Sequence, residues 1–439
     1  MGLRLRDSLT GRVEPIQPAR GGPIHMYVCG PTVYDRSHVG HGRTYLYFDL
    51  IRRYLRQENV PTRHVMNITD FEDKVTARAT ELGLRWDELA RREEAAFFAD
   101  MDDLGILRPH LTPRASAFVP QMIRLTQRLS RRGRVRREGD EWLFMARGPP
   151  DPRNFPIGQE LEAHTVPEPD PTLVLKPAFD REFMVWKRQA PPSPSWPSPW
   201  GNGIPGWHLE CYAMAEKYLG IPVDLHGGGT DLIYPHHYAE NEIALTLEDQ
   251  LFSRHFLHTG FVTQAGEKMS KHTGNLVPLR TALSEEGPDA LRMYLWSRAY
   301  HLRLDWSEAD FHRAGILHRE LEERCRGSIR PGAGGSLPIA GLVDLRDSVL
   351  NDVGDGLRVD VSMDRLRRWS ARVGRSAQPR FARGERGPAR ELYSELEEVL
   401  GISLIGRKTG RPRGKAGSRA PKGGRTQVRA RRPSARRSG

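Results

Sequence analysis

Residues 24–68 read IHMYVCGPTVYDRSHVGHGRTYLYFDLIRRYLRQENVPTRHVMNI, and this stretch decides the fold. Residues 24–29 form a short apolar run stopped by Gly30-Pro31, the pattern of a buried strand. From Gly42 to Glu58 the apolar residues fall at 45, 46, 48, 50, 51, 54 and 55, which is a helix with one buried side. Residues 62–68 make a second strand, and a helix follows from about Asp70. Strand, helix, strand is the opening unit of a parallel nucleotide-binding sheet, whose ligand sits at the C-terminal ends of the strands.

Outward from this unit the pattern changes twice. Residues 85–133 fit two further helices, separated around Pro109 and Pro113. Residues 148–205 are rich in Pro, Gly and Trp, with PPSPSWPSPWGNGIPGW at 191–207, and cannot stay regular for long. Helical sequence resumes at 208–219, and VDLHGGG (223–229) reads as a strand running into a glycine turn. The pattern is helical from about 281 to 326, breaks at 327–338, and admits two or three more helices over 341–403. No internal repeat is present.

The chain has 439 residues, 38% hydrophobic and 28% charged, enough for two or three domains with packed cores. Its net charge is +12. Residues 406–439 hold thirteen Lys or Arg and no Asp or Glu, so the basicity is a tail and residues 1–405 are near neutral. Such a segment cannot bury a core, and disorder is expected there. No apolar run approaches the roughly 20 residues of a membrane span, and the start, MGLRLRDSLTGR, has no signal-peptide core. Three cysteines, Cys29, Cys211 and Cys325, are too few for a disulfide framework, which suits a reducing cytoplasm.

Two strings carry chemistry. His38-Val39-Gly40-His41 lies between strand and helix, where imidazoles and the free N–H groups of a helix N-terminus can face a polyphosphate. Lys268-Met269-Ser270-Lys271 sets two ammonium groups three residues apart, a positive clamp for phosphates in a transition state. Either string alone equally suits a solvated surface.

Together, in this order, they resemble the paired signatures of class I aminoacyl-tRNA synthetases. The blocks MYVCGPTVYDRSHVGHGRTYLYFD (26–49), NITDFEDK (67–74), WPSPWGNGIPGWHLEC (196–211), HGGGTDLIYPHH (226–237) and EKMSKHTGN (267–275) are similar to the cysteinyl-tRNA synthetase family. The resemblance covers roughly residues 1–312 and fades after about 330. It implies ATP-dependent activation of L-cysteine to cysteinyl-adenylate and transfer to the 3′ end of tRNA(Cys). His38, His41, Lys268 and Lys271 would then be catalytic, and Gly40, Gly228, Gly229, Asp231 and Lys271 would bind ATP with Mg²⁺. Cys29, Gly30, Thr69 and Trp207 would meet the cysteine.

The resemblance also implies one Zn²⁺, held by Cys29, Cys211, His236 and a glutamate, with a position left open for the substrate thiolate. Such a soft bond discriminates against a hydroxyl, so no editing domain is needed. Here the chain departs from the family, which reads P-H-H-E-N-E where this sequence has PHHYAENE (235–242). The i, i+4 spacing from His236 favours Glu240, whereas matching the ENE letters favours Glu242. His237 reads as a packing or supporting histidine and His208 as a pocket residue.

The expected fold is therefore α/β: a Rossmann-type parallel-sheet catalytic domain over 1–312 with an inserted segment at about 85–205. A shortened α-helical tRNA-binding domain follows over 313–405, entered through Asp289-Ala290-Leu291-Arg292, and the disordered basic tail covers 406–439. A monomer acting without a membrane is expected. Two other readings remain open on sequence: a cysteine ligase with an amino-sugar or other small amine as acceptor, and a non-catalytic RNA-binding relative.

Overall fold

The computed structural model describes residues 2–19, 21–146, 151–155, 181–269, 274–332, 337–374 and 379–406, with Lys268 described for its backbone alone. The chain begins with a hairpin of β1 (Arg4–Arg6) and β2 (Val13–Pro15). It then forms β3 (Ile24–Val28) and, after the Val39–Gln57 helix, β4 (Thr62–Met66). The two strands pair in parallel. β3 carries buried residues on both faces, as a central parallel strand must.

Helices Asp73–Glu81, Trp86–Asp103 and Val119–Arg131 follow. The Pro-, Gly- and Trp-rich stretch at 148–205 contributes two short strands to a sheet that begins before it. β5 (Val135–Glu138), β6 (Glu141–Met145), β7 (Glu182–Arg188) and β8 (Gly203–Pro205) build a four-stranded antiparallel sheet. Phe183, Val185 and Trp186 of β7 are buried, and because 185 and 186 are adjacent the strand shows no clean alternation in sequence.

After the His208–Tyr218 helix the chain returns to the core with β9 (Leu225–Gly229) and, beyond the Tyr238–Glu248 helix, β10 (Phe256–Thr259). The core sheet has the order β10-β9-β3-β4, all parallel. The glycines at 227–229 are thus strand, not turn. A side chain at Gly227 would strike the Leu257 carbonyl and the Phe48 ring, so glycine keeps β9 close to its neighbours.

β11 (Val262–Gln264), β12 (Glu267–Lys268) and β13 (Leu304–Asp305) form a small third sheet. The expected helical run from 281 is divided: Leu279–Leu295 and Glu308–Ser328 are separate helices with β13 between them. The second of these spans position 312. Helices Ile339–Gly354, Val359–Gly374 and Arg386–Leu400 complete the region.

Residues 1–405 form one compact unit. One apolar core joins the Val39–Gln57 helix to Leu279–Leu295 and onward to the last helices, while a second lies on the other face of the sheet, beneath the inserted strands. No described helix is long and apolar enough to cross a membrane. The tail expectation falls on 407–439, outside the described residues.

Candidate active site

The site grows from the C-terminal ends of β3 and β4. Cys29 follows β3 and Asn67 follows β4. A Cβ on Gly30 would lie 1.6 Å from the Asn67 carbonyl oxygen, so only glycine allows the two backbones to approach. The Gly30 N–H donates to Asn67 Oδ1 at 2.8 Å. Asn67 was not singled out in sequence, although its place directly after a core strand was the available signal.

Cys29 is joined by three side chains from distant elements. Cys211 comes from the His208–Tyr218 helix, His236 from a kinked turn over Ile233–His237, and Glu240 from the first turn of the Tyr238–Glu248 helix. All four are buried, and their donor atoms lie within 4.8 Å of one another. Cys29 Sγ is 3.6 Å from Cys211 Sγ. His236 Nε2 is 3.4 Å from Cys211 Sγ and 3.3 Å from Glu240 Oε1. The Trp207 indole stacks on the His236 ring at 4.2 Å and fixes its plane.

Glu242 lies elsewhere. It accepts from Asn154 Nδ2 at 3.2 Å and pairs with Arg181 at 3.5 Å. His237 backs the cluster: its Nε2 is 3.3 Å from Cys29 Sγ and its Nδ1 is 2.7 Å from His258 Nε2. Glu240 Oε2 meets His226 Nε2 at 2.9 Å, and His226 Nδ1 lies 3.0 Å from the Tyr27 carbonyl. His226 was not given a role in sequence, and neither was His258.

Burial dominates the electrostatics of the cluster. It pushes the Cys29 and Cys211 thiols and the Glu240 carboxyl up and the His236 imidazole down, so each neutral form is favoured. Glu240 Oε1 is buried without a hydrogen-bond donor among the described residues. A cation among the four atoms supplies that missing partner and turns the thiols into thiolates. The donor set, two sulfurs, one imidazole and one carboxylate, fits a metal-binding site.

Above the cluster opens a cavity of about 300 Å³. Cys29, Gly30, Trp207, Cys211 and His236 line one end; His38, Gly40, His41, Gly229 and Asp231 line the rest, with Met269 at the margin. Thr69 and Gly228 do not reach it. Thr69 Oγ1 instead donates to Glu210 Oε2 at 2.8 Å, and Gly228 makes room for the Leu232 side chain.

His38 and His41 form the N-terminal cap of the Val39–Gln57 helix. His38 Nδ1 accepts the Gly40 N–H at 3.1 Å, and His41 Nδ1 accepts the His38 N–H at 3.3 Å. With both Nδ1 atoms accepting, each neutral ring carries its proton on Nε2 and is a donor there. The rings lie 3.9 Å apart at the positive end of the helix dipole. This is a place for anionic oxygens.

Arg43, one turn further on, is fully buried and went unnoticed in sequence. Its guanidinium donates to the carbonyls of Gly260 (2.8 Å), Leu302 (2.7 Å) and Ala299 (3.0 Å). It ties the capped helix to the loop that lines the cavity before β11. Of the lysine signature, Lys268 is the second residue of β12, paired with Thr263. Ser270 and Lys271 lie outside the described residues.

A family model described as tRNA synthetases class I (C) catalytic domain matches residues 15–315. The cysteine–tRNA ligase of Anaeromyxobacter dehalogenans (strain 2CP-C) is 38% identical over 351 residues, covering 76% of this chain and 71% of that protein. The cysteine–tRNA ligase of Thermococcus kodakarensis is 39% identical over 314 residues, covering 70% of this chain and 64% of that one. Among solved structures, Mycobacterium tuberculosis methionyl-tRNA synthetase with methionyl-adenylate aligns at a TM-score of 0.61 and 17% identity, covering 86% of this chain and 90% of that chain. The LeuRS of Agrobacterium radiobacter K84, in a ternary complex with tRNA, aligns at 0.62 and 12%, covering 88% and 84%. These two show a shared fold alone.

Proposed function

The chain belongs to the cysteine branch of the class I tRNA synthetases, and from that premise we propose that it joins L-cysteine to tRNA(Cys) at the expense of ATP. The observation that carries the reading is the buried Cys29–Cys211–His236–Glu240 cluster at one end of a cavity that also includes the histidine-capped helix. A thiol-bearing amino acid and a triphosphate fit those two ends.

In the first step a carboxylate oxygen of cysteine attacks the α-phosphorus of ATP, and pyrophosphate leaves. In the second, a hydroxyl of the terminal ribose of tRNA attacks the activated carbonyl, and AMP leaves. Neither step needs a covalent enzyme intermediate, so the protein contributes position and charge. The Nε2–H groups of His38 and His41 would donate to phosphate oxygens at the positive end of the helix dipole, and Gly40 leaves room for the His38 ring that caps the helix. Lys268 and Lys271 add positive charge as the pyrophosphate departs. Asp231 suits the ribose diol, Gly229 allows close approach of the nucleoside while Gly228 seats the Leu232 side chain beneath it, and Mg²⁺ accompanies ATP.

Cys29, Cys211, His236 and Glu240 would hold Zn²⁺, which supplies a soft, borderline bond for a thiolate and a weak one for a serine hydroxyl. Trp207 walls the same end of the cavity and excludes water, while Gly30 and, through Glu210 and Asn67, Thr69 fix its floor. A reducing cytoplasm agrees with three buried free cysteines, and the enzyme is proposed to act as a monomer.

The proposed division of labour is catalysis by 1–312, including the insertion at about 85–205, and tRNA contact by 313–405. The basic segment 406–439 is proposed as a sequence-independent holding arm for RNA. Cysteine-dependent exchange of labelled pyrophosphate into ATP tests the first step. Exchange with cysteine and not with serine is expected; no exchange would refute the reading.

A further inference from the structure

A second cluster of metal-ligating side chains lies away from the cavity. Asp7 follows β1 and Glu14 lies within β2, so both belong to the N-terminal hairpin. His255 immediately precedes β10, the edge strand of the core sheet. A donor atom from each lies within 4.8 Å of the other two.

The hairpin docks closely on this edge. The Ser8 N–H donates to the Phe256 carbonyl at 2.8 Å, and the Phe256 N–H donates to Asp7 Oδ1 at 3.1 Å. Asp7 Oδ1 also accepts from the Leu9 N–H at 3.0 Å, and Thr10 adds further hydrogen bonds to the same carboxylate. Asp7 is 2% exposed and His255 3%. His255 Nε2 is buried with no hydrogen-bond partner among the described residues.

A buried ring nitrogen beside two carboxylates is costly in either protonation state. With a proton, Nε2 has no acceptor at hydrogen-bond distance. Without one, its lone pair has no donor, and the neighbouring carboxylates add like-signed charge. A divalent cation resolves both problems, since it accepts the imidazole lone pair and neutralises the acids. Donors bound at about 2.1 Å around one ion sit roughly 3.4 Å apart, so the three side chains must close in on the ion from a spread of up to 4.8 Å.

We infer that Asp7, Glu14 and His255 form a second metal site, which takes a divalent transition ion such as Zn²⁺ or Mn²⁺ and clips the N-terminal hairpin to β10. The set contains no sulfur, so it differs in kind from the thiol-rich cluster. It is structural in position: β10 continues into Thr259 and Gly260 at the cavity, but none of the three ligands lines that cavity.

The test counts ions on the full chain by native mass spectrometry after zinc loading and gel filtration. A Cys29→Ser/Cys211→Ser double variant isolates the second site and is expected to keep one zinc. Adding Glu14→Gln, a half-buried position where folding is little disturbed, is expected to remove it. In the wild-type chain, two ions are expected, and Glu14→Gln should keep one together with an unchanged thiolate-to-cobalt absorption band when Co²⁺ replaces zinc. The site is refuted if the double cysteine variant binds no zinc, or if its zinc survives Glu14→Gln.

Discussion

Cys29 Sγ and Cys211 Sγ lie 3.6 Å apart, although 182 positions separate them in the chain. The separation is too long for a disulfide, whose sulfurs are about 2.05 Å apart, and matches two ligands on one ion. β3 delivers one and the His208–Tyr218 helix the other, so the pair records how the sheet and its covering helices meet.

Burial raises both thiols, so each carries its proton near pH 7 before metal arrives. Zinc binding should therefore release about two protons per chain from the thiols and a further one to the extent that the Glu240 carboxyl is neutral, about two to three in all. Calorimetry of zinc uptake in buffers of different ionisation enthalpy measures this directly. A count near zero would contradict thiolate ligation.

Glu240 and Glu242 make different contacts, and their substitutions should differ accordingly. Glu240→Gln is expected to lower zinc affinity by at least 10-fold. Glu242→Gln alters the interactions with Asn154, Arg181 and Tyr238, none of them a ligand, and should keep full metal occupancy. Metal analysis after dialysis against a weak chelator separates the two; equal loss in both would contradict the assignment.

The spacing rule behind Glu240 was legible because His236 and Glu240 sit one helical turn apart, and local periodicity survives in sequence. The same holds for β3, the Val39–Gln57 helix and β4, each of which begins and ends within three residues of its expected bounds. Contacts between elements left no such trace. Arg43 reaches carbonyls more than 200 positions away, and His226 and His258 meet Glu240 and His237 only because β9 and β10 are adjacent. The glycines of β9 misled because glycine usually marks turns, whereas here the crowding of Leu257 and Phe48 demands it within a strand.

Asp49, on the Val39–Gln57 helix, pairs with the fully buried Arg292 at 2.7 Å, and Arg292 also donates to the Leu400 carbonyl at 2.9 Å. Burial pushes the Asp49 carboxyl up, but Arg292 and Arg53 more than offset this and hold it below the usual carboxylate range. Its contribution is thus fully present above the unfolded carboxylate value, about 3.9, and is lost as pH falls through the lower folded value. Asp49→Asn should cost about 3 kcal/mol at pH 7 by stranding the guanidinium. Denaturant unfolding from pH 7 downward should show the gap between wild type and variant narrowing in acid.

Lys271→Ala should slow adenylate formation by on the order of 10²-fold with little change in the KM for cysteine, because its charge acts on phosphates as pyrophosphate departs. Steady-state pyrophosphate exchange separates the two parameters. An unchanged kcat with a raised KM would assign Lys271 to amino-acid binding.

Thirteen cations in residues 406–439 are proposed to hold RNA. Deleting the segment should leave cysteine activation intact, weaken tRNA binding and flatten its dependence on salt. Filter binding of labelled tRNA over a salt series provides the readout; an unchanged slope would leave the holding to the helices of 313–405.

The central claim is that this site makes cysteinyl-tRNA, and transfer of labelled cysteine from ATP-supplied reactions measures it most directly. With tRNA(Cys) and a panel of small amines, including an amino-sugar, offered in parallel, the label should appear on the tRNA in an alkali-labile ester. Label on an amine in a stable amide, with none on tRNA, would contradict the account and identify a different cysteine ligase.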